Sequence, residues 1–162
     1  MKRKTALYGL LIALAFIVSY LESLIPLPVG IQGIKLGLAN GVVLVALYRL
    51  RWWDGLVVSV LRILLAGLTF GSPVSMLYSL SGGLLSLGVM ELCRRSGRFS
   101  VLGVSMAGGV SHNIGQLAAA AVLLGTRQVL WYAVVLLPVG LLTGGLVGLL
   151  AGQLLPRLKK LS

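Results

Sequence analysis

PLPVGIQGIKLGLANGVVL, residues 26–44, is apolar enough to enter a bilayer. Yet it opens with Pro26 and Pro28, places glycines at 30, 33, 37 and 41, and carries Lys35 and Asn40. Those two polar side chains are costly in hydrocarbon. Within a membrane segment they face a bundle interior or a wet cavity, and they mark a functional site by default. Gly33, Gly37 and Gly41 recur every four residues, which on a helix leaves one face bare and lets a neighbouring backbone approach. The stretch reads as the start of a second membrane helix that walls a ligand pocket near the outer surface.

Working outward, the chain has 162 residues, of which 58% are hydrophobic and 10% charged, with a mean hydropathy of +1.03. Soluble domains carry about 25% charged residues, so the class is an integral membrane protein. Apolar runs of the roughly 17–25 residues needed to cross as helix fall at 5–25, 34–50, 53–69, 73–93, 100–124 and 128–155. The connections leave no room for an extramembrane domain. Residues 1–162 are expected to form a single all-α domain, a bundle of six transmembrane helices.

The net charge of +11 invites a nucleic-acid reading, but the placement of the basic residues argues against one. Lys2, Arg3 and Lys4 precede the first run, Arg49 and Arg51 follow the second, Arg94, Arg95 and Arg98 follow the fourth, and Arg157, Lys159 and Lys160 close the last. If both termini share a compartment, all of these lie on one side, which the positive-inside bias makes the cytoplasm. Lys35, Arg62 and Arg127 stand outside that pattern. The first run lacks a small-x-small cleavage site and reads as a retained helix, not a signal peptide. Cys93 is the one cysteine and reads as a small structural hydrophobe.

Along the chain, Gly9 and Ala13 are four apart on helix one, as are Ala15 and Ser19. Such pairs are contact faces, within the bundle or against a partner protein. Glu22 is placed to pair with Lys35 or Arg62, or to sit solvated at the interface. Trp52 and Trp53 suit an interfacial belt, and Asp54 suits the first turn of helix three. Arg62 lies about 13 Å further along that helix, near mid-depth. It needs Glu22, backbone carbonyls or an anionic ligand, or it is purely structural. Glu91 precedes Arg94 and Arg95 by three and four residues, the spacing of a helix-surface ion pair.

Helix five carries SMAGGVSHNIGQ, residues 105–116. Ser105, Gly108, Gly109, His112 and Gln116 share one face, and Ser111 and Asn113 widen the polar arc. The face reads as a binding surface, with a hydrogen-bonded interhelical histidine as the simpler alternative. Helix six repeats glycine at 140, 144, 148 and 152, a zipper for close packing. Together Lys35, Asn40, Arg62, His112, Asn113 and Gln116 are expected to converge on a basic, hydrogen-bonding pocket for a small anionic or polar molecule.

Glu22, Asp54 and Glu91 are the only acidic residues, so the chain cannot supply the paired aspartates that hold magnesium on a diphosphate. There is no G-x-x-x-x-G-K-[ST] phosphate loop, and one His with one Cys offers neither a nucleophile set nor a metal site. No enzymatic activity, cofactor or metal is expected of this subunit alone.

GIKLGLAN at 33–40, following a proline-rich lead and joined to a fifth helix containing SHN, resembles the Gx transporter family, also labelled heptaprenyl diphosphate synthase component I. That family in turn resembles the S components of energy-coupling factor transporters. The resemblance implies a multi-pass subunit of the bacterial cytoplasmic membrane that binds a vitamin- or precursor-like solute near the outer face. It further implies two cytoplasmic ATPases and an energy-coupling transmembrane subunit as partners, the latter met through Gly9, Ala13 and Ala15. Two alternatives stand beside it: a non-catalytic accessory subunit of prenyl diphosphate metabolism, and a membrane partner in quinone-linked electron transfer.

Overall fold

The computed structural model of the chain describes residues 2–25 and 33–159. Pro26, Pro28 and Gly30 lie outside the described residues. The remainder is helical: α1 Lys2–Ser23, α2 Asn40–Arg49, α3 Trp52–Thr69, α4 Pro73–Ser96, α5 Val101–Leu124, a short 3-10 helix Arg127–Tyr132, and α6 Ala133–Lys159. Among the described residues four segments are long and apolar enough to cross a membrane, Thr5–Ser23, Trp52–Thr69, Pro73–Ser96 and Arg127–Leu158. At 24 residues α5 equals α4 in length, but it carries its polar side chains at mid-length. The chain has the build of a multi-pass membrane protein.

The second helix departs from the sequence expectation. It begins at Asn40 rather than 34 and has ten residues, about 15 Å of rise, half of a hydrocarbon core of about 30 Å. Residues 33–39 are irregular, with Gly33 at φ +94° and Gly37 at φ +85°. Backbone of that hand is open to glycine at little cost. The four-residue repeat therefore encodes two bends, not a bare helix face, and only Gly41 meets a neighbour from within a helix, at Val147 of α6.

Local chemistry sets the other boundaries. Asp54 Oδ2 accepts from the Arg51 amide at 3.0 Å and caps α3. Ser72 and Ser75 cap each other's amides at the start of α4, where Pro73 takes the first turn. Trp52 and Trp53 lie together with ring centroids 3.9 Å apart.

Glycine sets the packing of α4, α5 and α6. A methyl group at Gly115 would come 2.7 Å from the Ser81 carbonyl, one at Gly144 2.6 Å from the Ser105 carbonyl, and one at Gly109 would collide with the Gly140 carbonyl. The zipper of α6 is thus an internal contact with α5, open only at Gly152, which has nothing nearby. On α1, Ala15 and Ser19 are buried, whereas Gly9 and Ala13 are exposed on the outer surface.

Arg49 Nη2 donates to the Leu158 carbonyl at 2.8 Å, tying the end of α2 to the end of α6. Leu7, Trp52, Cys93, Val101 and Leu158 pack into one apolar cluster. The start of α1 and the basic turns after α2 and α4 therefore share one end of the bundle, as the distribution of arginines requires. There Glu91 binds Arg94 and Arg95 at 2.8 and 2.6 Å.

Candidate functional site at the bundle midpoint

An irregular segment at membrane depth must find partners for its backbone inside the protein, and residues 33–39 find them in polar side chains of other helices. Glu22 Oε1 accepts from the amides of Gly37 and Leu38. Gln116 accepts from the Lys35 amide and donates to the Lys35 carbonyl, each at 2.8 Å. Thr143 Oγ1 comes within 3.3 Å of the Leu36 carbonyl, while its nearest acceptor is the Val139 carbonyl of α6 at 2.9 Å. The segment begins beside Ser75, at the head of α4, and reaches the His112 ring, halfway along α5, at Gly37. Residues 33–49 thus run the length of the bundle as an irregular half followed by a helical half.

Glu22 is buried at 4% exposure. One oxygen of its carboxylate is spent on two backbone amides, so it is not a solvated interfacial residue, and the charges of Arg62 and Lys35 act on it from nearby. Arg62 is equally buried, and its partners differ from those expected. Nη2 donates to Asn40 Oδ1 at 2.6 Å and Nη1 approaches Ser19 Oγ at 3.4 Å. Asn40 Nδ2 in turn donates to Ser86, whose hydroxyl donates to the Gly108 carbonyl at 2.8 Å.

Of the six residues expected to converge, five are buried together at mid-bundle and one turns away. Asn40 and Arg62 bind each other. Gln116 braces Lys35, and Asn113 donates to the Leu136 carbonyl of α6. His112 lies between Gly37 and Gly82, where a methyl group at Gly37 would come 3.0 Å from Cδ2 and one at Gly82 2.9 Å from Cε1. Lys35 contributes its backbone, while its amine lies 5.7 Å over the Phe70 ring in an aromatic group with Phe16 and Tyr20. Arg127 stays exposed and apart.

Among the described residues, Arg62 Nε, the hydroxyls of Ser59 and Ser79 and both ring nitrogens of His112 are buried without a hydrogen bond of normal geometry, the His112 ring facing the Gly82 backbone. Buried polar atoms are ordinarily satisfied, because leaving one unpaired costs about 1–3 kcal/mol. Ser59 and Arg62 lie close together, since a methyl group at Gly83 would come 3.3 Å from Ser59 Oγ and 3.9 Å from Arg62 Nη2. Unpaired donors and acceptors of this kind are the groups that water or a small polar molecule would satisfy. Among the described residues no three His, Cys, Asp or Glu side chains gather as a metal site.

Ser59, Ser79, Ser86 and Thr143 are not among the residues the sequence singles out. A signal exists for those of α4. Ser75, Ser79, Gly82, Gly83 and Ser86 follow offsets of 4, 7, 8 and 11 and are all buried, the same one-face pattern that marks α5.

No curated protein and no solved structure matches the chain. The family model described as heptaprenyl diphosphate synthase component I matches residues 11–154. That span runs from within α1 to near the end of α6 and takes in every helix that braces the 33–39 segment, so the chain belongs to the heptaprenyl diphosphate synthase component I family.

Proposed function

We propose that the protein is a non-catalytic solute-binding subunit of the bacterial cytoplasmic membrane, similar in role to the S component of an energy-coupling factor transporter. It holds a small polar or anionic solute at mid-bundle. The observation that carries this reading is the set of buried polar atoms without a hydrogen bond of normal geometry on His112, Arg62, Ser59 and Ser79. They lie beneath a non-helical segment of the kind that lines binding sites in membrane transporters. Arg62 supplies the cationic contact for a carboxylate, phosphate or polarised carbonyl, and His112 and the serines supply hydrogen bonds. The basic end faces the cytoplasm, so residues 33–39 approach the site from outside. Movement of that segment, released from Glu22 and Gln116, admits the solute. The energy comes from two cytoplasmic ATPases through a transmembrane coupling subunit that docks on the exposed face of α1 at Gly9 and Ala13.

The test is native mass spectrometry of protein extracted gently from its own membrane, comparing wild type with Arg62→Gln and His112→Phe. A retained polar metabolite in wild type, lost from both variants while their melting temperatures stay within the folded range, supports the reading. Wild type that carries no such molecule, or variants that retain it, overturns it.

The family match favours a second reading, an accessory subunit that holds a soluble prenyl diphosphate synthase at the membrane. It predicts a synthase in the same spectra and no ATPase.

A further inference from the structure

α1 and α6 do not pack directly on one another. Between them runs a groove of about 740 Å³, floored by α2 at Val42 and Val45 and walled by leucines of the two flanking helices. Its rim opens to the surroundings at Leu10 and Leu150, which are 65% and 61% exposed. Along α1 the groove extends from Leu7 to Val18, about 16 Å at 1.5 Å per residue. That is one leaflet of a hydrocarbon core of about 30 Å. Volume over length gives a cross-section of about 46 Å², whereas one extended chain, with carbon neighbours spaced about 4 Å centre to centre, takes roughly 16 Å², so the groove has room for two. Every lining residue is apolar except Arg49. Arg49 stands at the end where Leu7 and Leu158 close the groove, with exposed Arg157 beside Leu158.

We infer that this groove is a specific site for one anionic phospholipid of the adjoining leaflet, its two acyl tails filling the space between α1 and α6 and its phosphate at Arg49 and Arg157. Leaflet-long depth, a width for two tails and positive charge at the headgroup level together select that occupant. A second protein helix would meet no reason for charge at one end only. Bound there, the lipid bridges two helices whose backbones do not come together and fixes α1 against the rest of the bundle. The site is separate from the polar centre, and the inference stands whether or not that centre binds a solute.

The experiment uses full-length protein in neutral detergent, titrated with phosphatidylglycerol or phosphatidylcholine. It is followed by native mass spectrometry for bound lipid and by thermal unfolding. One phosphatidylglycerol is expected to remain bound and to raise the melting temperature, with phosphatidylcholine binding several-fold more weakly. Each basic residue near a lipid headgroup contributes about 1 kcal/mol, or roughly fivefold in affinity. Arg157→Gln, which makes no contact with the α2–α6 tie, therefore loses about fivefold. Ala151→Phe fills the groove from the α6 side. Leu14→Trp, at an exposed position that folding tolerates, narrows the mouth. Both are expected to abolish the bound lipid and its thermal effect. Equal binding of the two lipids, undiminished lipid in both groove variants, or an isoprenoid as the retained molecule overturns the proposal.

Discussion

Gln116 on α5 pairs with Lys35 as one strand residue pairs with another, its amide oxygen and nitrogen meeting the Lys35 N–H and C=O at 2.8 Å each. The side chain thereby stands in for a piece of secondary structure at a point where the chain has none. Gln116→Leu leaves both backbone groups buried and unpaired, for a loss of about 2–5 kcal/mol. Thermal unfolding in detergent and hydrogen exchange across 33–39 measure it. Gln116→Glu keeps the acceptor, loses the donor, and is expected to fall between wild type and leucine.

Glu22 braces the same segment through a single oxygen that accepts from both Gly37 and Leu38. An amide oxygen can accept the same two bonds, so Glu22→Gln should preserve protection of those two amides in hydrogen exchange. Glu22→Ala should expose them and cost about 2–4 kcal/mol. Equal behaviour of the two variants would mean that the negative charge, and not the hydrogen bonds, is what matters.

The α5–α6 contact separates two glycines that look alike in sequence. Gly109→Ala drives a methyl group into the Gly140 carbonyl, whereas Gly152→Ala enters open space. The first should lose about 1–3 kcal/mol through overpacking, visible as poor yield and a lowered melting temperature. The second should be neutral or gain up to about 1 kcal/mol from helix propensity.

At the basic end, Arg95 has a side chain 64% exposed, while Arg94 grips Glu91 through two bonds. Arg95→Ala should therefore change stability by less than about 0.5 kcal/mol. Arg94→Ala should cost more, and raised salt should shrink the difference. Denaturation at two ionic strengths decides it.

Much of this architecture is legible in the residues. Hydropathy marks the four long spans, Asp54 and Pro73 mark helix starts, and the spacing of Glu91 to Arg94 and Arg95 is that of the observed ion pair. The polar face of α5 also reads correctly as buried. The 33–39 segment does not, because GxxxGxxxG is the same string whether its glycines flatten a helix face or supply positive φ. Only the partners decide, and these lie far along the chain. For the same reason Lys35, striking hydrocarbon in sequence, proves to contribute its backbone to the centre and its amine to Phe70. Which polar side chain braces and which stays unpaired depends on distances that one-dimensional spacing does not contain.

Gln116 follows Lys35 by 81 residues. At roughly 5–20 residues per second of synthesis, the ribosome needs about 4–16 seconds to deliver the partner after the segment itself has emerged. The pairing of Lys35 with Gln116 therefore cannot form until α5 has been made, and any change that delays α5 prolongs the time the Lys35 backbone spends without that partner.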